Sequence, residues 1–216
     1  MNINRYTKIF IKNIMLGLGN VDLSLFDKDH IFKVLQKAYI AMSPRTLGRG
    51  KVKGAKISTK NRNIVLSDLA DRFIGYFSSS VKSQKEFNEW HSQTCNEFMD
   101  SFNALLKKSQ YARIMNYGKA QKIVNVAFKY LYMFCDSGEI SPQYFEFCHF
   151  TIDKYTLMWY NKYKVGAYYT KSWSNMSEKE YFRIQSEIFA HIGKTTSGIT
   201  PFLAEFEIWS DLYYGE

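Results

Sequence analysis

The chain has 216 residues, 46% of them hydrophobic and 17% aromatic, with 29 Lys plus Arg against 20 Asp plus Glu for a net charge of +9. That composition excludes a disordered tail, and the length is enough to bury a core without covalent staples. Three cysteines, Cys95, Cys135 and Cys148, are an odd number at irregular spacing, which argues against a secreted disulfide framework and for a reducing, cytoplasmic setting.

In chain order, the first twenty residues are interrupted by Arg5, Lys8 and Lys12, so they form neither a signal-peptide core nor a membrane span; a helix is expected over 5–16. A second is expected over 28–42. From Pro44 to Asn63 the chain carries seven basic residues and no acid, leaving only +2 for the remainder. Arg45, Arg49, Lys51 and Lys53 alternate there with Gly48, Gly50 and Gly54, a pattern suited to following a nucleic-acid backbone or to forming a solvated loop. The same region, Lys51 to Val65, is read either as loop or as a short β-ribbon.

Beyond it, apolar residues recur at helical intervals, as in Phe87, Trp90, Phe98, Phe102 and Leu105, and again in Ile123, Ala127, Tyr130, Leu131 and Phe134. Helices are predicted over 66–80, 84–107, 110–116, 119–135, 142–148, 153–163, 178–193 and 201–214. Their starts are marked by Ser141-Pro142 and Thr200-Pro201, and by the capping-box pairs Ser83 with Glu86 and Ser177 with Glu180. No repeat or Pro-rich linker divides the chain. The fold class is therefore mainly α, one domain over 1–216 with room for two lobes.

The stretches that carry chemistry are MNYGKAQKIVNVAFKYLYMF, from Met115 to Phe134, and FCHFTIDKYTLMWY, from Phe147 to Tyr160. The first reads as a short helix, a turn at Tyr117-Gly118 and a helix opening near Lys119. The second reads as an extended approach to Asp153 at a helix N-terminus. This order resembles the helix-hairpin-helix DNA glycosylases, and most closely the 8-oxoguanine glycosylase/lyases with their archaeal branch. The likeness spans Arg113 to Tyr160. It aligns Lys122 with the family's nucleophilic lysine and Asp153 with its aspartate, 31 residues apart.

The resemblance implies excision of a damaged or modified base, such as the oxidised purine 8-oxoguanine, from double-stranded DNA, with AP lyase activity through a lysine Schiff base. No cofactor is implied, and the four-cysteine cluster of some relatives cannot exist here. A monomer is expected, nucleoid-associated when bound to DNA. An amine attacking C1′ must be deprotonated, and a carboxylate facing it can offset positive charge developing on the sugar.

Gly118 and Lys119, at a helix N-terminus, are candidates for holding a phosphate. Lys122, Asn125 and Lys129 lie three and four residues apart, so they form one polar stripe that could floor a cleft, with Asn125, Lys129 and His149 as candidate pocket residues. Trp90, Trp159, Tyr168, Tyr169, Trp173, Phe206 and Trp209 are candidate aromatic walls or core. His91-x3-Cys95 and Cys148-His149 lack familiar zinc spacing, and no metal is expected. The competing reading is a non-catalytic nucleic-acid-binding helical module, in which these lysines simply face water.

Overall fold

A computed structural model describes residues 26–43, 47, 57–79, 83–105, 114–135, 138, 140–196 and 198–214. They form seven α-helices and no strand. These are α1 (Lys28–Ala41), α2 (Thr59–Ser78), α3 (Gln84–Leu105), α4 (Tyr117–Leu131), α5 (Lys154–Lys162), α6 (Glu178–Thr195) and α7 (Pro201–Tyr214), with 3-10 turns at Tyr132–Cys135, Pro142–Phe145 and Trp173–Asn175. The mainly α expectation holds. The expected helix at 5–16 lies outside the described residues.

Side-chain caps set most starts. The Asp27 carboxylate accepts from His30 N at 2.9 Å, Ser58 Oγ accepts from Asn61 N at 3.0 Å, and Ser141 Oγ accepts from Gln143 N after Pro142 takes the first helical position. Ser177 and Glu180 form a complete capping box. Each such bond satisfies a backbone donor that the first helical turn leaves orphaned.

Two expectations are corrected. Helix α2 opens at Thr59, seven residues before the expected 66, because Ser58 caps it; 59–65 is helix, not ribbon or loop, and Lys60 and Arg62 sit on its first turns. Residues 114–116 are not helical. The Asn103 side chain both accepts from Met115 N and donates to Met115 O, each at 2.8 Å, so an amide from α3 takes the bonds a helix would need there. The turn expected at Tyr117-Gly118 is instead the first turn of α4, capped by Asn116.

Helix α4 is the axis of the fold. Helices α1 and α3 pack along it, α2 closes over both, and α6 with the 173–175 turn covers its opposite side. Of its 15 residues, only Lys122 is not buried. Phe128 anchors the α2–α3 side, with ring centroids 4.8 Å from Phe73, 5.5 Å from Trp90 and 5.6 Å from Phe87. Such pairs add about 1 kcal/mol each beyond the area they bury. Trp90 is therefore a packing residue, and so is the buried Phe206, whose ring lies 5.5 Å from that of Phe202.

Candidate functional site

Asp153 divides its two oxygens between two tasks. Oδ1 accepts from Tyr155 N at 2.9 Å and Thr156 N at 3.1 Å, and Thr156 Oγ1 accepts from Asp153 N at 2.7 Å, which completes a capping box at the start of α5. Oδ2 points to Lys122 Nζ, 3.1 Å away on the second turn of α4. The side chains keep 13% and 9% of their exposure, so the pair is nearly enclosed but reachable at one edge. The Trp173 ring lies above the amine, 4.6 Å from Nζ to the ring centroid.

Burial pushes the Asp153 carboxyl up, but the charges of Lys122 and then Lys129, together with the Thr156 N–H, outweigh it and hold the group below the usual carboxylate range. Asp153 is thus a standing negative charge fixed by backbone bonds, facing an amine on another helix. Two side chains 31 residues apart in sequence thus meet at one place.

The rest of the polar stripe does not floor a cleft. Lys129 Nζ, buried, pairs with the buried Glu205 carboxylate of α7, whose Oε2 accepts from Thr151 N at 2.8 Å. Burial raises Glu205 above its ordinary value, with Lys129 working in the opposite direction. The two ion pairs are neighbours, since each carboxylate responds to charges of the other pair.

Asn125 is also enclosed. Its amide nitrogen donates to Tyr181 Oη at 2.8 Å and to Gln121 Oε1 at 3.1 Å, and its Oδ1 accepts from His91 Nε2 at 3.0 Å. Tyr181 Oη lies 2.9 Å from His149 Nδ1, and His149 Nε2 lies 2.7 Å from Asn88 Oδ1. One set of tautomers satisfies the whole chain: Tyr117 donates to His91 Nδ1, His91 Nε2–H donates to Asn125, Tyr181 donates to His149 Nδ1, and His149 Nε2–H donates to Asn88. Burial lowers both histidines, His91 to about 3, so both are neutral. Asn125 and Lys129 therefore hold helices together, and their assignment to a substrate pocket is corrected. His149 reaches a small cavity of about 190 Å³ between Gln84, Asn88, Phe182 and Phe189, which neither Lys122 nor Asp153 lines.

The phosphate role of Gly118 and Lys119 is corrected as well. Gly118 N donates to Met176 O at 3.1 Å, and a Cβ at this position would collide with the Trp173 carbonyl oxygen. The turn at 173–176 thus covers the α4 N-terminus. Lys119 is buried, with Nζ donating to Ile114 O at 2.9 Å. Arg45, Arg49, Lys51 and Lys53 lie outside the described residues.

One contributor, Glu205, escaped the sequence reading. Glu205 stands on the apolar stripe of α7 between Phe202 and Trp209, and an acid at such a position signals a buried partner. Trp173 is among the candidate aromatic walls, but nothing local sets it apart from the others, because its place over Lys122 depends on a return of the chain from α5. Comparisons with family models, with curated proteins and with solved structures gave no match. No described helix is long and apolar enough to cross a membrane, and no group of three metal-ligating side chains occurs among the described residues.

Proposed function

We propose that the chain is a DNA glycosylase with AP lyase activity, excising a damaged or modified base such as 8-oxoguanine from double-stranded DNA through Lys122. The supporting observation is the 3.1 Å approach of Lys122 Nζ to Asp153 Oδ2 at the one point where α4 is not buried. The residue types fit the chemistry. The ammonium gives up a proton, relayed by Asp153 to the departing base; the amine lone pair forms the bond to C1′ while the C1′–N bond breaks and its electrons leave with the base. One N–H proton of the adduct passes to O4′ as the C1′–O4′ bond breaks, giving the iminium; this acidifies C2′–H, and loss of that proton expels the 3′ phosphate by β-elimination. Asp153, ionised before it takes up that proton and again once it has passed it on, offsets positive charge on the sugar. Trp173 supplies an aromatic wall for an extruded nucleotide.

Borohydride reduction in the presence of a duplex carrying one 8-oxoguanine, or one abasic site, tests this. Wild type should form a covalent adduct, and Lys122→Gln should form none while binding DNA normally. The alternative, a non-catalytic nucleic-acid-binding helical module, draws on the fact that Asp153 already has a capping duty; absence of an adduct on every lesion tried would establish it over the enzyme.

A further inference from the structure

The chain leaves the Lys122–Asp153 pair at Lys154 and returns to it at Trp173. Over that excursion there are four lysines and five tyrosines and no acidic residue. Its course is fixed where Asn161 pairs with Tyr169. Asn161 Nδ2 donates to Tyr169 O and Asn161 Oδ1 accepts from Tyr169 N, both at 2.9 Å, which pins the returning strand to the end of α5. Between these two residues the chain reverses at Lys164, which adopts a left-handed φ of 51°. Glycine is the usual residue at such a helix end; here the position presents a cation.

The outer side of this excursion is exposed. Tyr168 is 74% and Tyr163 54% accessible, and Lys154, Lys162 and Lys164 are exposed with no carboxylate at ion-pair distance among the described residues. Lys162 Nζ stands 5.2 Å from the Tyr163 ring. The internal partners that hold the segment, Asn161 and Tyr169, are not the groups that face outward.

We infer that residues 154–171 form a contact surface for an unpaired nucleic-acid strand, with Lys162 and Lys164 on its phosphates and the Tyr163 and Tyr168 rings stacking on its bases. Unpaired lysines beside exposed rings match a strand that offers anionic and aromatic faces in alternation. Tyr168 has no ring partner among the described residues, and Tyr163 meets only Trp159, 6.2 Å between ring centroids, with more than half of its surface left accessible. The inference rests on the proposed function for its choice of DNA, since extruding one nucleotide leaves the opposite base unpaired beside the site, and this surface begins and ends there. It assigns DNA contacts to residues other than those of the basic segment at 44–63.

Fluorescence anisotropy of the full chain with a labelled single-stranded oligonucleotide, and with a duplex containing one abasic site, decides it. Lys162→Gln/Lys164→Gln should lower the magnitude of the salt slope on the single strand by about 1.4 and weaken binding at low salt by tenfold or more. Tyr163→Ser/Tyr168→Ser should weaken single-strand binding by about tenfold or more with the slope unchanged. Circular dichroism and melting temperature should match wild type, because the altered side chains are exposed. Wild-type affinity and slope in both variants would overturn the inference, as would retention of the chain on anionic phosphatidylserine vesicles with no affinity for either oligonucleotide. Borohydride trapping keeps the two proposals apart: an adduct from wild type with unaltered binding by the variants refutes this surface alone, whereas lost binding without any adduct refutes the lyase alone.

Discussion

Gly118 on α4 lies directly beneath the Trp173 backbone, its N–H bonded to Met176 O and its Cα facing the Trp173 carbonyl oxygen with no room for a Cβ. That contact seats the turn carrying the indole above Lys122. Gly118→Ala should therefore lift the 173–176 turn from α4 or overpack it, at a cost of about 1–3 kcal/mol. Thermal melting should show a drop of several degrees, and tryptophan emission should shift red. An unchanged melt and spectrum would mean that the turn does not depend on the close approach.

The Lys122–Asp153 pair leads to a pH prediction. Because Asp153 titrates below its unfolded value, the folded state binds fewer protons, so its contribution to stability is complete above the usual carboxylate range and is lost as pH falls through the lowered folded value. Lys122→Gln removes the largest lowering influence and leaves a nearly enclosed carboxylate, so loss of stability should begin at higher pH than in wild type. The cost at neutral pH should be about 3 kcal/mol. Urea melts from pH 3 to 7 read both quantities. Asp153→Asn should keep the helix cap, since Asn caps nearly as well, while losing the charge.

The buried histidines give a second, separable dependence. His91 and His149 are neutral when folded and take up protons when unfolded, so stability should decline as pH falls below about 6.5 towards the folded values, near 3 for His91. Each contributes a slope of about 1.4 kcal/mol per pH unit across that window. Proton NMR of the imidazole C–H resonances should show both rings untitrated at pH 5 in the folded chain. Resonances that move with a midpoint near 6.5 would contradict the network geometry.

Lys129 and Glu205 should behave as a buried ion pair. Glu205→Gln strands a cation in the interior and should cost about 3–5 kcal/mol, whereas Lys129→Met/Glu205→Leu should come close to wild type in denaturant melts. The double variant leaves Thr151 N without its acceptor, which sets a floor of about 1 kcal/mol on its cost.

What could be read from the chain alone was whatever physics acts over three or four residues. Ser141-Pro142, Asp153, Ser177 with Glu180 and Thr200-Pro201 announce helix starts because a cap bonds to a backbone N–H only two or three positions away. The apolar periodicity of 119–135 likewise identified the central helix. It failed on which side of that helix meets water, because Lys122, Asn125 and Lys129 make one polar stripe whose fate depends on partners 31, 34 and 76 residues away. Asn103 overrode the local preference at 114–116 in the same manner.

The meeting of Lys122 with Asp153, the burial of Lys129 against Glu205 and the closing of Gly118 under Trp173 all arise where distant segments pack. A polar group that looks solvent-directed in a helical pattern becomes interior once packing supplies the opposite charge or the missing hydrogen bond, and no short-range rule carries that information.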